Sequence, residues 1–112
     1  MNMAITRTET TIDGLPAITW TLTNDGEPIG RLDAHTSGLI LNIEVDEAHR
    51  GEGHARRLYD TADIDLLHAP AWGRTYEGNL FAGAMGGDTM GDEQACEILG
   101  LDLDIVTGAA FI

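Results

Sequence analysis

In the run Ala17-Ile-Thr-Trp-Thr-Leu-Thr23, every residue from Ile18 onward alternates strictly between apolar and polar side chains. Successive side chains of a strand point to opposite faces, so this pattern suits an extended segment with one face covered. Its β-branched and aromatic residues favour the same state. The next four residues, Asn24-Asp-Gly-Glu27, signal a hairpin, because Asp-Gly accepts the positive φ of a tight turn. Residues 28–35 then pair back antiparallel, and Thr36-Ser-Gly38 turns the chain into a further strand over 39–45. A weaker alternation over 4–11 supplies a first strand, joined to the second by the short, turn-rich Asp13-Gly-Leu-Pro16. The expectation is a meander of three or four strands.

The last of these strands, Leu39-Ile-Leu-Asn-Ile-Glu-Val45, leads through a polar elbow into Arg50-Gly-Glu-Gly-His-Ala55. Beyond it, Ala55, Leu58, Tyr59 and Ala62 fall at i, i+3, i+4 and i+7, one apolar stripe of a helix. Arg56, Arg57, Asp60 and Asp63 are left to solvent. A strand, a glycine-spaced turn and a helix N-terminus make an anion cradle, since unpaired amides and the positive end of the helix dipole converge. Gly51 and Gly53 allow positive φ and close backbone approach. Arg50, Arg56 and Arg57 gather half of the chain's six basic residues beside it. Such a turn is also ordinary strand–helix punctuation; the arginines and the flanking elements point to a phosphate-bearing ligand.

The run Arg50-Gly-Glu-Gly-His-Ala55, after Ile43-Glu-Val45 and before Arg56-Arg-Leu-Tyr59, resembles the acetyl-coenzyme A signature of the GNAT-fold N-acetyltransferases, Gln/Arg-x-x-Gly-x-Gly/Ala. The resemblance covers residues 39–62 in its motif and 17–87 in its order of elements. It implies an α+β fold with a mixed, mostly antiparallel central sheet and flanking helices, in one domain over residues 1–112. It implies that the loop amides of Arg50, Gly51, Glu52, Gly53, His54 and Ala55, with Arg56 beside them, hold the pyrophosphate of coenzyme A. Ile43 and Val45 would offer main-chain groups to the pantetheine arm. Asn79 of Asn79-Leu-Phe-Ala82 resembles the start of the family's second helix.

The implied reaction is direct acetyl transfer from acetyl-coenzyme A to a primary amine, small or protein-borne. A base deprotonates the ammonium, the amine attacks the thioester, and a backbone amide holds the oxyanion. Glu44, beside the expected thioester position, is the candidate base, with His68 or His49 as substitutes. Alternation also makes Glu44 a plain solvent-facing residue, opposite in direction to Ile43 and Val45.

Two departures accompany the resemblance. The tyrosine that protonates the leaving thiolate is absent, the second helix continuing Gly83-Ala-Met-Gly-Gly87; Tyr59 and Tyr76 match no motif position and read as packing residues. The two helices that usually follow the first strand are also missing, which leaves the acceptor side open or completed by a second copy in a homodimer. A catalytically inactive coenzyme A-binding or protein-interaction module is therefore the alternative.

Net charge is −13 and lysine is absent. Long-range repulsion disfavours nucleic acid and anionic membranes and favours a basic acceptor. An acidic surface also serves solubility alone, and mimicry of nucleic acid rests on nothing but this charge. No apolar run approaches the ~20 residues of a membrane span, and no signal peptide is visible, so a cytoplasmic location is expected.

After the first helix, Ile64-Asp-Leu-Leu-His68 reads as a short returning strand. Ala69-Pro-Ala-Trp-Gly73 is a loop, because Pro70 removes a donor. Thr75 caps a second helix over 76–85, with Leu80, Phe81, Ala84 and Met85 inward and Gly86-Gly87 ending it. A third spans 91–99 and stops at Gly100. Residues 101–112 supply a closing strand. The single Cys96 excludes an internal disulfide and reads as a small buried hydrophobe. Trp20 and Trp72 read as core or loop anchors. His35, His49, His54 and His68 lack the HExxH spacing of a zinc site, so no metal is expected.

Overall fold

A computed structural model describes residues 2–103, the side chains of 76 and 77 apart. It is α+β, with strands β1 (Met3–Ile12), β2 (Leu15–Asn24), β3 (Glu27–His35) and β4 (Ile40–Val45) and helices α1 (His54–Thr61), α2 (Tyr76–Met85) and α3 (Asp92–Leu99). The strands lie side by side in chain order, and every pairing is antiparallel rather than mixed. Contacts gather in two compact units, Met1–Leu66 and Leu67–Ile112. None of the helices among the described residues is long and apolar enough to cross a membrane.

Turn chemistry sets the meander. Asp13 and Gly14 have φ of 50° and 81°, and Asp25 and Gly26 of 51° and 85°. Positive φ at both central positions is the two-residue turn whose twist matches the strands it joins. Ile12 therefore faces Leu15, and Asn24 faces Glu27. No helix interrupts β1 and β2.

Cross-strand register sorts the sheet into two faces. Ile5, Leu22 and Gly30 line up on one, as do Trp20, Leu32 and Ile43. These residues, with Ile18, Ile29 and Ala34, form the core that Leu58 of α1 completes. Gly30 makes room for that helix: the Leu58 Cδ1 stands 3.4 Å from where a Cβ would be. On the opposite face, Thr19, Thr21, Arg31, Asp33, Asn42 and Glu44 follow one another across the strands.

The returning strand expected over 64–68 does not form. Among the described residues, 62–66 form no strand, while Leu67 and His68 carry isolated bridges, His68 pairing in parallel with Thr89. Asp63 and Asp65 break the β-propensity of the run. Ile64 and Leu66 still pack against the core as an irregular cover. β4 is consequently an edge strand of the described sheet.

In the second unit the capping residues act as expected. The Thr75 hydroxyl accepts from the Gly78 amide at 3.0 Å, and Gly100 ends α3 with φ 69°. The inward face of α2 differs from the expectation, however: Ala82 is buried and Phe81 and Met85 half-buried, whereas Leu80 is 56% exposed and Ala84 lies in solvent. With glycine or alanine at four of its ten positions, α2 has a weak apolar stripe, and the large side chains alone mislead. The closing strand expected over 101–112 falls mostly on residues outside those described.

Candidate functional site

The loop between β4 and α1 is built on a strand end, a 3₁₀ turn and two glycines. The His49 amide donates to Asp46 at 2.8 Å, closing the 3₁₀ turn Glu47–His49. Gly51 and Gly53 both adopt φ 81°. A Cβ on either would meet nothing within 4 Å, so it is the left-handed backbone, not crowding, that calls for glycine. Gly53 is the N-cap of α1 and offers no side chain to the first turn. Among the described residues, the amides of residues 51–56 meet no hydrogen-bond acceptor. A free first turn of amides at the positive end of a helix is a place where an oxyanion lowers its energy.

The edge of β4 opens beside this loop. The Asp46 amide donates to Ile29 at 2.8 Å, and Gly30 pairs with Val45. That phase turns the main chain of Asn42 and Glu44 toward β3 and the main-chain groups of Ile43 and Val45 outward. Arg50 uses one of them, its Nε donating to the Val45 carbonyl at 2.9 Å. Arg56 and Arg57 are exposed and make no ion pair among the described residues. Ile43, Val45, Arg50, Gly51, Glu52, Gly53, His54, Ala55 and Arg56 are thus brought together in the first unit.

Glu44 lies on the polar face of the same unit. Its Oε1 is 3.5 Å from Arg31 Nη2, and Arg31 Nε is 3.0 Å from Asp33. Asp33 is buried, and the Thr19 hydroxyl donates to it at 2.5 Å. Arg31 and Thr19 thereby satisfy a carboxylate that would be costly to bury alone, and Glu44 is the exposed end of this chain of contacts.

His68 and Asn79 belong to the second unit. His68 is buried, with its ring edge-on to Phe81 at 6.0 Å. Its Nε2 lies 2.6 Å from the Gly86 carbonyl; a carbonyl only accepts, so this nitrogen carries the proton and donates. The Asn79 Oδ1 accepts from Arg74 Nη1 at 3.1 Å, while Arg74 also donates to Ala69 and to Thr89. Arg74 is thus a half-buried clamp of its own unit. The Trp72 indole donates to Asp92 at 2.9 Å and anchors its loop; Trp20 lies in the core.

One grouping escaped the sequence reading. His49, Glu52 and His54 place one ligand atom each within 4.8 Å of the others. Glu52 Oε2 and His54 Nε2 are 3.0 Å apart, and the rings of His49 and His54 are 6.3 Å apart. The signal, His-x-x-Glu-x-His, was present but follows a loop wound by two glycines rather than a helix turn.

Cys96 is buried in α3, and burial, then the charges of Asp92 and Asp102, push its thiol above the ordinary range. A thiol held protonated is a poor nucleophile.

No protein-family model, curated protein or solved structure matches this chain.

Proposed function

We propose that this chain is a minimal acetyl-coenzyme A-dependent N-acetyltransferase with a short GNAT-like fold. The observation that carries the reading is the run of amides at residues 51–56 without acceptors among the described residues, set between an outward-facing strand edge and three arginines. The diphosphate of coenzyme A would sit on those amides, and the pantetheine amides would pair with the main chain of Ile43 and Val45. Transfer forms a bond from the acceptor nitrogen to the acyl carbon and breaks the carbon–sulfur bond. The proton lost by the ammonium passes to Glu44 or through water, and the thiolate leaves with coenzyme A. Positioning the two reactants supplies much of the acceleration.

Two observations favour a second reading, a coenzyme A-binding or protein-interaction module without turnover. β4 has no returning strand beside it among the described residues, and the helix after Asn79 lacks the tyrosine acid. Thermal melting with acetyl-coenzyme A tests both readings: ligand at a hundred times its dissociation constant adds about 2.7 kcal/mol. No shift at millimolar ligand removes the enzyme and the coenzyme A binder together. A shift with thiol release on a panel of amines and basic peptides selects the enzyme; a shift without it selects the binder.

A further inference from the structure

We infer that His49, Glu52 and His54 form a binding site for a divalent transition-metal ion of the zinc or cobalt class. The proposal goes beyond the acyl-transfer reading and does not depend on it. Two imidazoles and one carboxylate suit zinc and its neighbours, whereas magnesium and calcium prefer all-oxygen sites. Zinc takes such ligands at about 2.0–2.2 Å, which sets them roughly 3.5 Å from one another around the ion. The three ligand atoms already lie within 4.8 Å, so closure asks for about an ångström of movement.

The local backbone divides the work between fixed and movable ligands. His49 ends the 3₁₀ turn and His54 opens α1, so both grow from ordered elements. The His54 side chain is only 10% exposed, which restricts the directions its Nε2 can face. Glu52 is the movable ligand, 54% exposed and flanked by two glycines with φ 81°. Its carboxylate already rests 3.0 Å from His54 Nε2, where an ion between them would replace one hydrogen bond by two coordinate bonds. Asp46 and Glu47 on the approach to the loop partly offset Arg50, Arg56 and Arg57 in the cation's field. Three protein ligands leave at least one position for water or an anion.

The test is titration of the full chain with cobalt(II), without coenzyme A, followed by visible absorption and calorimetry. One equivalent should bind with the intense absorption of a four- or five-coordinate ion and be displaced by zinc. Glu52→Gln, His49→Ala and His54→Ala should each weaken binding by roughly a hundredfold or more, beyond the 10–100-fold typical of outer-shell changes. Circular dichroism checks that each variant is folded, and Glu52→Gln, at an exposed loop position, keeps the test decisive should a histidine variant unfold. Binding unaltered in Glu52→Gln, pale octahedral absorption alone, or no binding at millimolar cobalt would overturn the proposal by placing the ion on scattered surface carboxylates or nowhere. Acetyl-coenzyme A binding is read separately, so failure of either leaves the other standing.

Discussion

Gly38 sits directly against the carbonyl of Asp65: a Cβ added at position 38 would fall on that oxygen. The glycine also has φ 103°. The turn after β3 and the irregular segment after α1 thus meet through bare backbone, and this close approach stands where a returning strand was expected.

Gly38→Ala should therefore be among the most damaging single changes in the first unit. Steric overlap with backbone and an unfavourable φ add, and a loss of about 3 kcal/mol or more is expected. Urea denaturation followed by tryptophan fluorescence measures it. A loss below about 1 kcal/mol would mean that the two segments part easily.

Gly53→Val separates ligand binding from stability. Its Cβ would meet nothing, so only the left-handed backbone is penalised, about 1–2 kcal/mol. The variant should melt lower than the parent yet remain folded, and under the proposed function it should lose the stabilisation expected from acetyl-coenzyme A. An unchanged ligand shift would place the nucleotide elsewhere.

Arg50→Ala removes the bond from the guanidinium to the Val45 carbonyl. At this exposed position the direct cost is about 1 kcal/mol. The informative readout is the dissociation constant for acetyl-coenzyme A, which under the proposed function should rise about tenfold, because the diphosphate would lose both a cation and an ordered loop. Arg50→Lys should recover charge without the fork geometry and fall between the two.

The acid limb of stability carries a mark from Asp63. Its hydrogen bond from Arg7 holds the carboxyl below its ordinary 3.8, against the opposing effect of burial. A folded-state value below the unfolded one means stability that is present above about pH 4 and lost as pH falls through the lowered value. Asp63→Asn should flatten that part of a pH series of urea midpoints and lower the neutral midpoint by the same amount, a small one because exposed ion pairs contribute little. An identical acid limb in parent and variant would reject the assignment.

How far the sequence reaches depends on whether local chemistry decides an element. Asp25-Gly26, Thr75 and Gly100 each dictate their own backbone, and the turn, the cap and the helix end stand where their residues predict. The strict alternation around Trp20 likewise fixes which face is buried. Residues 64–68 were misread because a short apolar run is equally at home in a strand or as a cover over a core, and only contacts such as Gly38 with Asp65 decide. Leu80 was misassigned because α2 carries too few large side chains to define a stripe. In the loop, the glycines and arginines were legible; the meeting of His49 with His54 was not, since positive φ at Gly51 and Gly53 redirects the chain in a way no periodicity encodes.

A sheet whose neighbours in space are also neighbours in sequence can assemble one hairpin at a time. Each closure spans few residues, so little chain entropy is lost before native contacts repay it. The first 45 residues can accordingly zip together from the amino end while the remainder is still being synthesised, with α1 arriving afterwards to seal Trp20 and Leu32. A released fragment of residues 1–66, the first compact unit, should already resist protease, and susceptibility of that fragment would show that the sheet awaits the rest of the polypeptide.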